Sequence, residues 1–133
     1  MVQLVDDQVG RLLEVLRAFG RLEDTIVVVN SDQGFQLGEH GVWKKRDFYE
    51  TNICVPLIMA GLGLPSERTV EKPVEMVDFV PTLLELSGFA TPKEIAGRSL
   101  LPLIHGVVAE WCEAWEADLL HGRSGQRRGR YAV

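Results

Sequence analysis

Between Ser31 and Arg46 the chain gathers the side chains best suited to chemistry: Asp32 and Gln33 side by side, then Glu39, His40, Lys44, Lys45 and Arg46, with glycines spaced among them. A carboxylate and an amide carbonyl are hard oxygen donors, suited to calcium or magnesium rather than zinc. Neighbours on an extended strand point to opposite faces, but a turn at Gly34 lets both side chains converge on one point. Two ligands do not make a site, so others must come from elsewhere. Lys45 offers a positive charge to an anionic substrate, and such charges stabilise the charge that builds in a transition state. His40 offers a proton or a hydrogen bond to a leaving oxygen. Each residue also has a plain structural alternative. Asp32 can cap a turn with Gly34, His40 can be a buried ring, and Lys44, Lys45 and Arg46 can be a solvated surface.

A loop of this kind needs a rigid support. Thr25 to Asn30, with its unbroken β-branched run, reads as a strand buried on both faces, as in a parallel sheet. Open α/β sheets place ligands at the carboxyl ends of such strands. Ahead of it, Val5, Val9, Leu12, Leu13, Leu16 and Phe19 recur at helical spacing. Asp6 and Asp7 fall in the first turn of that helix and suit its dipole, with a role as metal ligands as the less favoured reading; Gly20 is its stop. After the loop, Phe48 to Asn52 reads as a helical turn and Val55 to Ala60 as a second buried strand. Val74 to Val77 reads as a short edge strand. Asp78 is placed to cap a helix beginning near Pro81, with Leu83, Leu84 and Leu86 inward and Gly88 at its end. Pro92 to Ile104 is loop-like, its leucines pinned against the body. Trp111 and Trp115, one helical turn apart, point to a helix. His121 to Val133, with Arg123, Arg127, Arg128 and Arg130 among glycines, reads as a disordered tail.

The totals bound the possibilities. At 133 residues the chain suits one modest domain, and a formal net charge of −5 argues against a nucleic-acid partner, which selects a basic face. No apolar run approaches the roughly 20 residues that cross a membrane. The first residues lack the basic and apolar blocks of a signal peptide. The two cysteines, Cys54 and Cys112, are too few for a disulfide scaffold and lack zinc spacing; the compartment stays open.

The stretch Ser31 to Glu50, followed by Val55-Pro56-Leu57-Ile58, closely resembles the second half of the catalytic domain of the sulfatase family, in the alkaline-phosphatase-like superfamily. The likeness continues through Pro73 to Leu84 and Gly97 to Pro102 and reaches back to Asp6 to Arg11. What it implies is an α/β fold, part of an alkaline-phosphatase-like sheet with flanking helices, over residues 1–106, followed by a divergent tail, 107–133, helical and then disordered. It implies a divalent cation, calcium above all, held in part by Asp32 and Gln33, although many members carry His or Asn at the second position. It places Lys45 on the sulfate and His40 near the site. The substrate would be a sulfated small molecule or glycan.

One departure matters. Sulfatases carry Cys-x-Pro-x-Arg or Ser-x-Pro-x-Arg, whose first residue becomes the formylglycine nucleophile. Cys54-Val55-Pro56-Leu57-Ile58 begins that way but ends in isoleucine, and it follows the metal pair instead of preceding it. Cys54 is expected to be a buried strand residue. The chain then reads as a sulfatase fragment lacking the nucleophile, inactive alone, whose partner is the missing N-terminal half. The alternatives are a phosphodiesterase or phosphonate hydrolase of the same superfamily, or a non-catalytic remnant.

Overall fold

The computed structural model describes residues 2–45, 49–107, 110–111, 114–119 and 127–132, the last two spans by their backbone. Its elements run α1 (Val2–Ala18), β1 (Val27–Asn30), α2 (Glu50–Ile53), β2 (Leu57–Ala60), α3 (Phe79–Leu86), α4 (Leu101–Ile104), β3 (Ala114–Leu119) and β4 (Arg127–Ala132). The α/β character expected from the sequence holds.

α1 forms where the apolar spacing places it. It begins by Val2, so Asp6 and Asp7 stand in its second turn and no acid lies in the first. At its end Gly20 donates to the Arg17 carbonyl at 3.0 Å and Arg21 to the Leu16 carbonyl at 2.8 Å. These paired bonds need the left-handed backbone of Gly20, at φ 63°. Val9, Leu13 and Leu16 are half-buried, while Val5, Leu12 and Phe19 are exposed.

β1 and β2 pair antiparallel, Val27 opposite Ala60 and Asn30 opposite Leu57. The parallel arrangement expected from the β-branched run is therefore corrected. Valine and isoleucine report a side chain that fits a pleated surface, not the direction of its neighbour. β1 is half-buried, and β2 alternates half-buried Leu57 and Met59 with exposed Ile58 and Ala60. Cys54 is not a buried strand residue: it is an exposed free thiol ahead of the ladder, which begins only after Pro56, a residue without an N–H to donate.

The best-sealed region surrounds α3. In place of the expected edge strand, Met76 to Asp78 form a 3-10 turn that runs into α3. Asp78 is buried, and its carboxylate accepts the Glu75 N–H at 3.3 Å and the Arg98 N–H at 2.9 Å. It makes no side-chain cap on α3; it stitches the turn to the Arg98 segment instead. The Thr82 hydroxyl donates to the Asp78 carbonyl at 2.6 Å and accepts the Leu100 N–H at 2.9 Å. Leu100 and Leu103 are buried, pinned as expected, as is Pro81 of α3, with α4 inside what reads as a loop.

The helix expected at Trp111 to Leu119 is also corrected. β3 and β4 form an antiparallel ribbon with Trp115 opposite Tyr131, so Arg127, Arg128 and Arg130 lie on a strand and not in a disordered tail. Trp115, Ala117 and Leu119 alternate with Glu116 and Asp118, a period of two that competes with the helical reading of the tryptophans. Arg46, Cys112, His121 and Arg123 lie outside the described residues. Among the described residues no helix is long and apolar enough to cross a membrane.

Candidate active-site loop

Asp32 and Gln33 leave the carboxyl end of β1, the first exposed and the second half-buried. The Ser31 hydroxyl donates to the Gln33 carbonyl at 2.8 Å, which begins the turn that the sequence places at Gly34. The Gly34 N–H then donates to the Asn52 carbonyl at 2.8 Å. A Cβ on Gly34 would stand 1.9 Å from the Thr51 carbonyl oxygen, so only glycine lets the root of the loop lie against α2. Beyond it the chain doubles back. Gln36 donates to the Lys44 carbonyl at 3.2 Å and Gly38 to the Val42 carbonyl at 3.1 Å. The limb that carries Lys45 is thereby returned alongside the limb that leaves Gln33.

The tip is a turn, Glu39–Gly41, entered through Gly38 at φ 117°. The Glu39 carboxylate accepts its own N–H and that of Leu37, which holds its pKa below the ordinary value, with the His40 charge adding to the pull. His40 sits at φ 55° and ψ 21°, a left-handed conformation uncommon for any residue but glycine. Its ring stacks on Tyr49 with centroids 3.8 Å apart and planes 11° from parallel. His40 is exposed, so the buried-ring alternative does not hold for it. Lys44 and Lys45 are exposed as well.

The donor chemistry of Asp32 and Gln33 fits a hard cation. A carboxylate and an amide carbonyl supply two of the roughly six to eight oxygens that calcium takes. Among the described residues no group of three or more His, Cys, Asp or Glu side chains is placed to hold a metal, so the set is partial. A separate cavity of 340 Å³ lies between β2 and α4, with Arg68 and Lys72 among apolar side chains; none of Asp32, Gln33, His40 and Lys45 lines it.

Sequence reasoning passed over Gln36, Asn52 and Tyr49. Gln36 is fully buried between exposed Phe35 and Leu37, and its Oε1 accepts from Asn52 Nδ2 at 3.2 Å. A polar residue inside and its apolar neighbours outside reverse the usual rule, and no local pattern signals that reversal. Tyr49 carried no signal beyond its place in the family-like stretch.

Comparison with known proteins bears on this geometry. Residues 1–89 match the family model described as Sulfatase. An N-acetylglucosamine-6-O-sulfatase of Bacteroides thetaiotaomicron is 40% identical over 117 residues, which is 85% of this chain and 21% of that protein. The extracellular sulfatase SULF-1 homolog of Drosophila melanogaster is 35% identical over 95% of this chain and 11% of its own length. A solved chain, in complex with its substrate D-glucosamine-2-N,6-O-disulfate, superposes with a TM-score of 0.89 at 34% identity, over 98% of this chain and 28% of that one. The phosphonate monoester hydrolase of Silicibacter pomeroyi superposes at 0.80 with 34% identity, over 86% of this chain and 23% of its own. The chain thus spans 21% and 11% of the two curated relatives named here. The ordered likeness of the Asp32-to-Lys45 loop, the family match and the shared alkaline-phosphatase-like fold converge: this chain belongs to the sulfatase family.

Proposed function

We propose that the chain supplies the part of a sulfuric ester hydrolase that binds a cation and the sulfate group. The observation that supports this reading is the doubled-back loop: Gln36 donates to the Lys44 carbonyl, which pairs the limb leading to Lys45 with the limb that follows Gln33. In this reading Asp32 and Gln33 hold part of a calcium site. When bound, the ion supplies charge that polarises the sulfate oxygens. Lys45 pairs with a sulfate oxygen, and His40, steadied by Tyr49, gives a proton or hydrogen bond to the departing oxygen. The substrate class is a sulfated sugar or glycan, supported by the activity named for the Bacteroides relative.

No Cys-x-Pro-x-Arg or Ser-x-Pro-x-Arg occurs in the 133 residues, so we assign the nucleophile to a part of the catalytic domain outside this chain. The chain alone is expected to leave an aryl sulfate ester intact while still binding inorganic sulfate in the presence of calcium. Lys45→Ala is expected to weaken that binding about tenfold, the scale of one charge-assisted contact. Turnover by the chain alone, or unchanged sulfate binding in Lys45→Ala, would contradict the reading. The likeness to a phosphonate monoester hydrolase favours one alternative, hydrolysis of a phosphate diester or phosphonate. Calcium-dependent binding of a phosphonate monoester in preference to the sulfate ester would select it.

A further inference from the structure

Asn52 is bound twice by the root of the loop: its carbonyl accepts the Gly34 N–H at 2.8 Å, and its Nδ2 donates to Gln36 Oε1 at 3.2 Å. Gln36 in turn bonds the returning limb through its backbone, donating to the Lys44 carbonyl at 3.2 Å. Both side chains are buried, Gln36 at 0% and Asn52 at 7% exposure. One further fact separates this pair from ordinary packing: Gln36 Nε2 is buried without a hydrogen-bond partner. A buried donor left unmet is costly, whereas an apolar side chain of the same shape would avoid that cost. An amide here is therefore a poor choice for stability and a good one for direction, because it fixes where the chain runs on both sides of it.

We propose that Gln36 and Asn52 are a positioning pair, holding Gln33 and the Lys45 limb in the arrangement that binds the cation and the anion. The inference rests on the reading of Asp32 and Gln33 as cation ligands and names what keeps them in place. Gln36 and Asn52 touch neither ion; they act through the backbone at Gly34 and Lys44. Groups that orient metal ligands from behind set affinity on a scale of roughly tenfold or more.

Calorimetric titration of the full chain with calcium chloride, beside thermal melting without calcium, tests this. Gln36→Met keeps the volume and removes the unmet donor. Because it also takes the acceptor from Asn52 Nδ2, its melting temperature without calcium is expected to hold or rise only when Asn52→Leu accompanies it, while its calcium affinity falls about tenfold either way. Asn52→Leu is expected to lower affinity similarly, and the double variant no further, because the two act as one unit. On the unsubstituted chain, the Gln36 side-chain amide resonance is expected to shift as calcium is added, a readout that does not depend on any variant folding. Gln36→Met binding calcium as well as the parent chain, or a Gln36 amide resonance unmoved at saturation, would overturn the pairing alone. A parent chain that binds no calcium would overturn the reading beneath it as well.

Discussion

Glu39 draws two backbone N–H groups, its own and that of Leu37, onto one carboxylate, and its pKa is held below 4.5 for that reason. A carboxyl depressed in the folded chain contributes its stabilisation fully above the unfolded value and loses it as pH falls through the folded one. Acidification from just above 4.5 downward is thus expected to release the tip of the loop. The Leu37 amide would then exchange faster with deuterium, and Glu39→Gln would remove the dependence over that range. An exchange rate that stays flat across it in the parent chain would contradict this. At this scale the sequence was legible in residue types. Asp32 and Gln33 as oxygen donors, and Lys45 as a cation, follow from chemistry. Gln36 did not, because burial of an amide between exposed Phe35 and Leu37 depends on where α2 packs, information held in no short window.

At the scale of elements, the loop is placed by its contact with α2 as much as by β1. Gly34→Ala tests that contact, since the added methyl would meet the Thr51 carbonyl at 1.9 Å. Forcing bulk into such a contact costs about 1–3 kcal/mol, so the urea midpoint should fall accordingly. The His40–Tyr49 stack, whose tyrosine leads directly into α2, should loosen with it, read as a loss of the ring-current shift on His40. A fully retained midpoint would mean that the loop is not seated on α2. Elements with strong periodicity, α1 and α3, were readable, and so were their glycine stops. The direction of the β1–β2 pair was not, because β-branched composition is the same in parallel and antiparallel ladders. The tail misled for a different reason. Trp111 and Trp115 fit a helix, while Trp115, Ala117 and Leu119 fit a strand, and the strand prevailed through pairing with the distant segment Arg127–Ala132.

For the molecule as a whole, the buried apolar side chains Leu100 and Leu103 lie at α4, and the candidate site lies on a loop after β1, whose last residue, Asn30, donates to Met76 in the turn ahead of α3. The α/β class and the family were legible because a long ordered stretch carries them. The exposure of Leu12 and Phe19 was not, since amphipathic spacing marks an apolar face without naming what covers it. The central claim is that the end of β1 binds a divalent cation through Asp32. Thermal unfolding of the purified chain with increasing calcium tests it most directly. Ligand binding to the folded state alone adds about 2.7 kcal/mol at a hundredfold excess over Kd. The account predicts a melting temperature that climbs with calcium concentration in the parent chain and stays fixed in Asp32→Ala. A parent melting curve indifferent to calcium, or an Asp32→Ala curve that climbs equally, would contradict it.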